Sequence, residues 1–355
     1  MDAKTLLLTA QRHRDKSDYT GAGRLLKKAI KIAEGGGDQH LYIECLISYA
    51  DTQRMTGNYK TATLGYTRAA AEAAAAAAEE AALDAALGRA LSERALGNWQ
   101  DALREITKTA ERYAELGDSA GAAFSTWALA GTLRIKGDIN GAIAAFTEAG
   151  GMFSALNDAS GTGYCQCGLG GAYRMKGLYD KSLHSYTTAG NIFSATKDRF
   201  GTAYSHCGIG NAHRMMGRYA EGLRHLNAAM RTYERIGDIV SSSYTLWSLG
   251  MLKLMLTDVI SAERYFKSAA ERFKKTADVR GSIYADLGVC QVRYLQGRPY
   301  GPPLSRAIKN ADAYVLSLES CHAAKLGSII DNTSTECCNT LGINELNGTI
   351  PLNIP

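Results

Sequence analysis

"GGAYRMKGLYDKSL" fills residues 170–183, and forty residues on, at 210–223, the chain reads "GNAHRMMGRYAEGL". Written in rows of forty, the sequence places Gly57, Gly97, Gly137, Gly177, Gly217 and Gly297 in one column, with Ser17 and Thr257 in its gaps and no insertion or deletion. Two residues later stand Tyr19, Tyr59, Trp99, Ile139, Tyr179, Tyr219 and Val259. Twelve residues after the glycines come Ala29, Ala69, Ala149, Ala189, Ala229 and Ala269, with Thr109 the exception. Within a row apolar residues recur at three and four (Leu129, Leu133; Ala142, Phe146, Ala149), the helical period, so each row is read as two helices. The Gly column supplies a left-handed residue that ends the first helix and turns the chain back. Asp38, Asp118, Asp158, Asp198, Asp238 and Asp278 stand just before the next first helix, where a carboxylate accepts from free amides. The Ala column, with Gly170, Gly210 and Gly250, lets helices approach closely, while the aromatic column fills the space between pairs. One such pair cannot bury its apolar face alone, so the rows must stack.

The pattern of Leu-Gly, then Gly-x-Tyr, then two alanines resembles the tetratricopeptide repeat in its forty-residue form. "YCQCGLGGAYRMKGLYDKSLHSYTTAGNIFSATKD" (164–198) is similar to the repeats of kinesin light chain and of the Leu-Gly-Asn repeat adaptors. The resemblance covers about residues 4–312 and implies an all-α, right-handed superhelical solenoid of about eight helix-turn-helix repeats. Residues 1–312 are expected to form the solenoid, and 313–355 a C-terminal cap and non-repeat tail, partly irregular. Two departures carry expectations. At 69–82, "AAAEAAAAAAEEAA" replaces the Gly-Asp boundary with Ala77 and Ala78, strong helix formers, so a continuous or distorted helix is expected there, and Arg89 interrupts an apolar column. At the end of the array, "GRPYGPPL" sets three prolines in the turn and the start of the last second helix, which delays or shortens it.

In the family that the chain resembles, the second, fifth, ninth and twelfth positions of each first helix line the concave groove. Mapped onto this chain, the second position is Phe124, Tyr164, Tyr204, Tyr244 and Tyr284, and the fifth Trp127, Cys167, Cys207 and Trp247. The ninth is Gly131, Gly171, Asn211 and Met251, and the twelfth Arg14, Arg54, Arg94, Arg134, Arg174 and Arg214. The expected peptide groove is therefore Trp127, Arg134, Tyr164, Cys167, Arg174, Tyr204, Asn211, Arg214, Tyr244 and Trp247. Rings give contact area at low entropic cost and guanidinium forks pair with carboxylates, so the expected ligand is a peptide with acidic and apolar residues. Each Arg also lies three residues before a helix-ending turn, where a cation favours the helix terminus, and the tyrosines could equally pack between repeats.

A net charge of +5 over 355 residues, without a dense Lys/Arg cluster, argues against a nucleic-acid partner, and no stretch is apolar enough for membrane insertion. The opening "MDAKTLLLTAQRHRDKSDY" lacks the layout of a secretory signal, so a cytoplasmic, reducing compartment with free thiols is expected. Cys165 and Cys167, two apart on one helix, point about 200° apart and cannot both hold a metal. "GLGG" at 168–171 lies mid-helix and is no phosphate loop, and the histidines join no nucleophile motif. No enzyme activity, metal or cofactor is expected. After Lys325 helical periodicity fades into "LGSIIDNTSTECCNTLGINELNGTIPLNIP", which carries Asp331, Glu336 and Glu345 but no Lys or Arg. That tail is open to three readings: a loosely ordered terminus, a segment that packs back into the groove as its own ligand, or a substrate modified by another enzyme. Cys337 and Cys338, with Cys321 and His322, could bind metal or be oxidised. Three functional classes follow: a peptide-binding adaptor, a carrier whose tail is the functional part, and a self-assembling homo-oligomeric scaffold.

Overall fold

The computed structural model describes residues 1–333, 335, 341 and 348–355. Seventeen α-helices occur among the described residues, and no strand. They run in pairs: α1 (Ala3–Asp15) with α2 (Tyr19–Glu34), α3 (Gln39–Met55) with α4 (Tyr59–Ala75), α5 (Glu79–Ala95) with α6 (Trp99–Leu116), and α7 (Ser119–Lys136) with α8 (Ile139–Ala155). There follow α9 (Ala159–Met175) with α10 (Tyr179–Thr196), α11 (Arg199–Met215) with α12 (Tyr219–Ile236), α13 (Ile239–Met255) with α14 (Val259–Thr276), and α15 (Val279–Leu295) with α16 (Gly301–Ala313). A last helix, α17 (Ser317–Ile330), stands alone. Neighbours in sequence pack on one another, α9 on α10 and α10 on α11 for instance, so the chain is an all-α helical-repeat solenoid. It divides into two compact units, residues 1–128 with 234–239 and residues 129–233 with 240–355.

The turn repeats twice as often as the Gly column suggested. Every twentieth residue from Ser17 to Gly297 has positive φ, and at most of these turns the amide after it donates to the carbonyl five residues back, as in Asn58 to Gln53 (2.9 Å) and Asp198 to Phe193 (3.0 Å). This double closure satisfies the free carbonyls of one helix and starts the next. Ala77 joins the series with φ 54°, and Ala78 donates to Ala73 at 2.9 Å. The continuous or distorted helix expected over 69–82 is therefore corrected to two helices and a turn: α4 stops at Ala75 and α5 starts at Glu79. Local propensity is worth tenths of a kcal/mol per residue, and the pairing of α4 with α5 overrides it. Arg89, the other irregular position, stays partly exposed and pairs with Glu105 at 3.4 Å. The Asp column caps as expected: Asp158, Asp198 and Asp278 accept from the amides of Gly161, Gly201 and Gly281 at 2.9, 2.8 and 2.8 Å.

Large rings and glycines set the spacing between pairs. Tyr66, Phe146, Tyr186 and Phe266 each lie where a Cβ on Gly88, Gly168, Gly208 or Gly288 of the following helix would collide with the ring. In the other rows the same two columns read Leu26 and Ser48, Ile106 and Ala128, Leu226 and Ser248. A smaller core side chain goes with a larger partner, as close packing requires.

The prolines act as expected. α16 holds Pro302 and Pro303 in its first turn and has thirteen residues, against sixteen for α2 and eighteen for α14. After it the chain stays helical longer than expected, because α17 continues past Lys325 to Ile330. Leu318, Cys321 and Leu326 are buried along it, a helical spacing that the polar residues around them disguise. Cys45, Cys165, Cys167, Cys207 and Cys290 are free thiols, whereas Cys321 is disulfide-bonded, against the general expectation of free thiols and within the oxidation left open for this cysteine. Glu336, Cys337, Cys338 and Glu345 lie outside the described residues.

Candidate peptide-binding site

Within the second unit, α9, α11, α13 and α15 carry the columns expected to line a groove. Tyr164, Tyr204 and Tyr244 are half-buried, Tyr284 is buried, and the column ties one repeat to the next. Tyr164 donates to Asp198 at 2.7 Å and Tyr244 to Asp278 at 3.1 Å, the carboxylates that also cap α11 and α15. Their rings lean on Phe193 and Phe273, with centroids 4.7 and 4.8 Å apart. Tyr204 packs with Cys167, Tyr186 and Ile209. Cys167 is fully buried and its thiol is pushed up by desolvation. In the first unit, Trp127 stacks on the exposed Phe124 at 5.4 Å.

The arginine column is not uniform. In the first unit Arg14 and Arg54 approach Asp51 at 3.4 and 3.6 Å, and Arg94 donates to the Ala128 carbonyl at 2.9 Å. Asp51 occupies the ninth position, which in the second unit holds Gly171, Asn211 and Met251. Arg134 there lies against Gly171, and the half-buried Arg134 and Arg174 each keep a buried Nε without a partner.

Arg214 is fully buried. Its Nε donates to Asn211 Oδ1 at 3.1 Å, and Asn211 is held in turn by Ser248 Oγ at 3.0 Å. The guanidinium lies 5.6 Å from the ring centre of Trp247, whose indole N–H donates to the Tyr284 carbonyl at 3.0 Å. No side-chain carboxylate among the described residues pairs with Arg214. Burial, with the neighbouring Arg174, pushes it down to about 9.

The chain's own C-terminal residues meet this fork. Arg214 Nη2 donates to the Ile354 carbonyl at 2.9 Å and Nη1 to Asn353 Oδ1, while Asn353 Nδ2 returns to the Arg214 carbonyl at 3.4 Å. The Leu352 amide donates to Gln291 Oε1 at 2.6 Å. Ile354 N–H donates to the Leu352 carbonyl at 3.0 Å, a three-residue turn centred on Asn353. Leu352 and Ile354 are both 0 % exposed. Gln291 was missed at the sequence level, although the ninth-position column that runs through Asn211 and Met251 reaches it forty residues later.

α17 adds a second contact within this unit. One side sets Leu318 and Cys321 among Ile139, Ala172 and Met175. On the other, the fully buried Glu319 accepts from Arg280 at 2.6 Å and from Tyr284 OH at 3.0 Å. His322 is buried beside Tyr284 with both ring nitrogens unpartnered, and desolvation pushes it down to about 4. Neither sequence period nor motif marked Arg280, Glu319 or His322 as a group.

No group of three or more His, Cys, Asp or Glu among the described residues is placed to hold a metal ion, and no helix there is long and apolar enough to cross a membrane. A tetratricopeptide-repeat family model matches residues 162–235 and 201–275. No curated protein sequence matches the chain. Among solved structures it is similar to a Rap protein complexed with competence and sporulation factor, at 11 % identity and TM-score 0.67 over 96 % of this chain and 98 % of that one. It is also similar to the Rap conjugation gene regulator of plasmid pLS20 in complex with the Phr* peptide (12 %, 0.64, 88 % and 95 %). The apo quorum sensor NprR from B. thuringiensis is a further match (14 %, 0.53, 95 % and 96 %). At these identities the likeness concerns the fold. The family model thus marks tetratricopeptide repeats over residues 162–275, and helix pairs on the same forty-residue register run through the rest of the array.

Proposed function

We propose that the chain is a peptide-binding adaptor whose second unit holds a peptide between α11, α13 and α15, and that its C-terminal segment occupies that site in the absence of a partner. The observation that carries this reading is the seating of residues 352–354. Two buried aliphatic side chains flank a turn whose backbone and Asn side chain are read by Arg214 and Gln291. The reading is in keeping with solved neighbours of the same fold that carry a peptide, such as the Rap regulator bound to Phr*. Arg134 and Arg174 remain for acidic groups of a ligand, since their buried Nε atoms lack partners. Tyr164 and Tyr244 serve the groove by fixing the stacking of its walls.

Peptide display against the full chain carrying Leu352→Ala and Ile354→Ala tests this. Enriched sequences should be acidic and apolar, the intact chain should enrich them less, and Arg174→Ala with Arg214→Ala should abolish enrichment. Equal enrichment on the arginine-substituted chain removes the reading.

A further inference from the structure

The tail satisfies the shape of the Arg214 site but leaves its charge unanswered. Arg214 is buried, its Nε is tied to Asn211, and both terminal nitrogens point at neutral oxygens of Asn353 and Ile354. Arg174, one repeat earlier in the same column, adds repulsion. A buried cation is costly without an opposite charge, and a carboxylate adds to the guanidinium's hydrogen bond an ion–ion attraction that a neutral amide oxygen does not supply. Asn and Asp have the same shape, and the oxygen that Arg214 meets, Asn353 Oδ1, is present in both. The change forfeits the 3.4 Å bond from Asn353 Nδ2 to the Arg214 carbonyl.

We infer that this site is built for a partner segment reading aliphatic–Asp–aliphatic in a three-residue turn, and that the chain's own Leu-Asn-Ile is a weaker occupant of the same seat, displaceable because it lacks the carboxylate. The inference rests on the peptide-groove reading above and adds the ligand's central residue. It also explains why the occupying segment carries Asn at a position where the arginine fork would take Asp: an Asp tail, tethered at millimolar effective concentration, would be hard to displace.

The test compares two labelled peptides, Ac-TIPLNIP and Ac-TIPLDIP, by fluorescence anisotropy against the full chain with Leu352→Ala and Ile354→Ala, which weakens the tethered competitor. The Asp peptide should bind about tenfold or more tightly than the Asn peptide, a charge-assisted gain. In the same chain with Arg214→Met the preference should vanish, and with Arg214→Lys it should persist in reduced form. Binding of both peptides with equal affinity, or weaker binding of the Asp peptide, overturns the inference and leaves the groove standing. Failure of both peptides to bind overturns the groove reading as well.

Discussion

Replacing Gly288 by Ala sets two effects of opposite sign against each other. In the middle of a helix this change ordinarily stabilises by about 1 kcal/mol, because Ala has the higher helix propensity. Here a Cβ on Gly288 would stand 2.6 Å from the Phe266 ring, well inside contact distance. The ring is 0 % exposed, and it lies as close to Gly250, where an added Cβ would also stand at 2.6 Å, so moving away from one glycine brings it onto the helix of the other. Overpacking of this kind costs about 1–3 kcal/mol, which cancels the propensity gain and leaves a net loss of roughly 0–2 kcal/mol. Urea denaturation followed by circular dichroism at 222 nm reads the change. Combining Gly288→Ala with Phe266→Leu should lose less than the sum of the two, since Leu226 with Ser248 and Ile106 with Ala128 already show the smaller-against-larger pairing. A Gly288→Ala chain that gains the ordinary propensity increment would refute the ring-and-glycine account of repeat spacing.

Further expectations concern the titrating and polar groups. His322 is neutral when buried and pushed down to about 4 from an ordinary 6.5, so its contribution is complete above pH 6.5 and is lost as pH falls toward 4, by up to roughly 3 kcal/mol. In His322→Phe the pH dependence of unfolding over that window should flatten, and an unchanged slope would assign the window to other groups. Tyr164→Phe removes the bond to Asp198 and should lower stability by about 0.5–1.5 kcal/mol while leaving peptide affinity within twofold; a binding defect without a stability change would place the hydroxyl on the ligand. Glu319→Gln weakens the pairing with Arg280 and should raise proteolytic cleavage within α17 at neutral pH, whereas cleavage at the parent rate would show that α17 is held by its apolar side alone.

The repeat was legible because one register runs through the whole array: the columns of Gly, Ala and Asp state turn, crossing and cap directly. Ala77 was misread because helix propensity is local, while the turn there is imposed by pairs on either side. The site was legible in part. Arg214, Asn211 and Trp247 stand at the expected positions and meet one another, since a column fixes which residues share a face. What a column cannot say is where a charge finds its partner. Asp51 answers Arg14 and Arg54 in the first unit, and no residue at the same position answers Arg174 in the second. The seating of Leu352 on Gln291 joins residues sixty-one apart, and the tail that carries it has no repeat to announce it.

Amide hydrogen exchange of Leu352 in the full chain is the most direct test. Its N–H, bonded to Gln291 at a position without solvent exposure, should exchange at least about a hundredfold more slowly than in the free peptide TIPLNIP. Gln291→Ala should erase most of that protection. Exchange of Leu352 at the free-peptide rate in the unaltered chain would mean that the tail does not sit in the groove, and the self-occupied peptide site would fall with it.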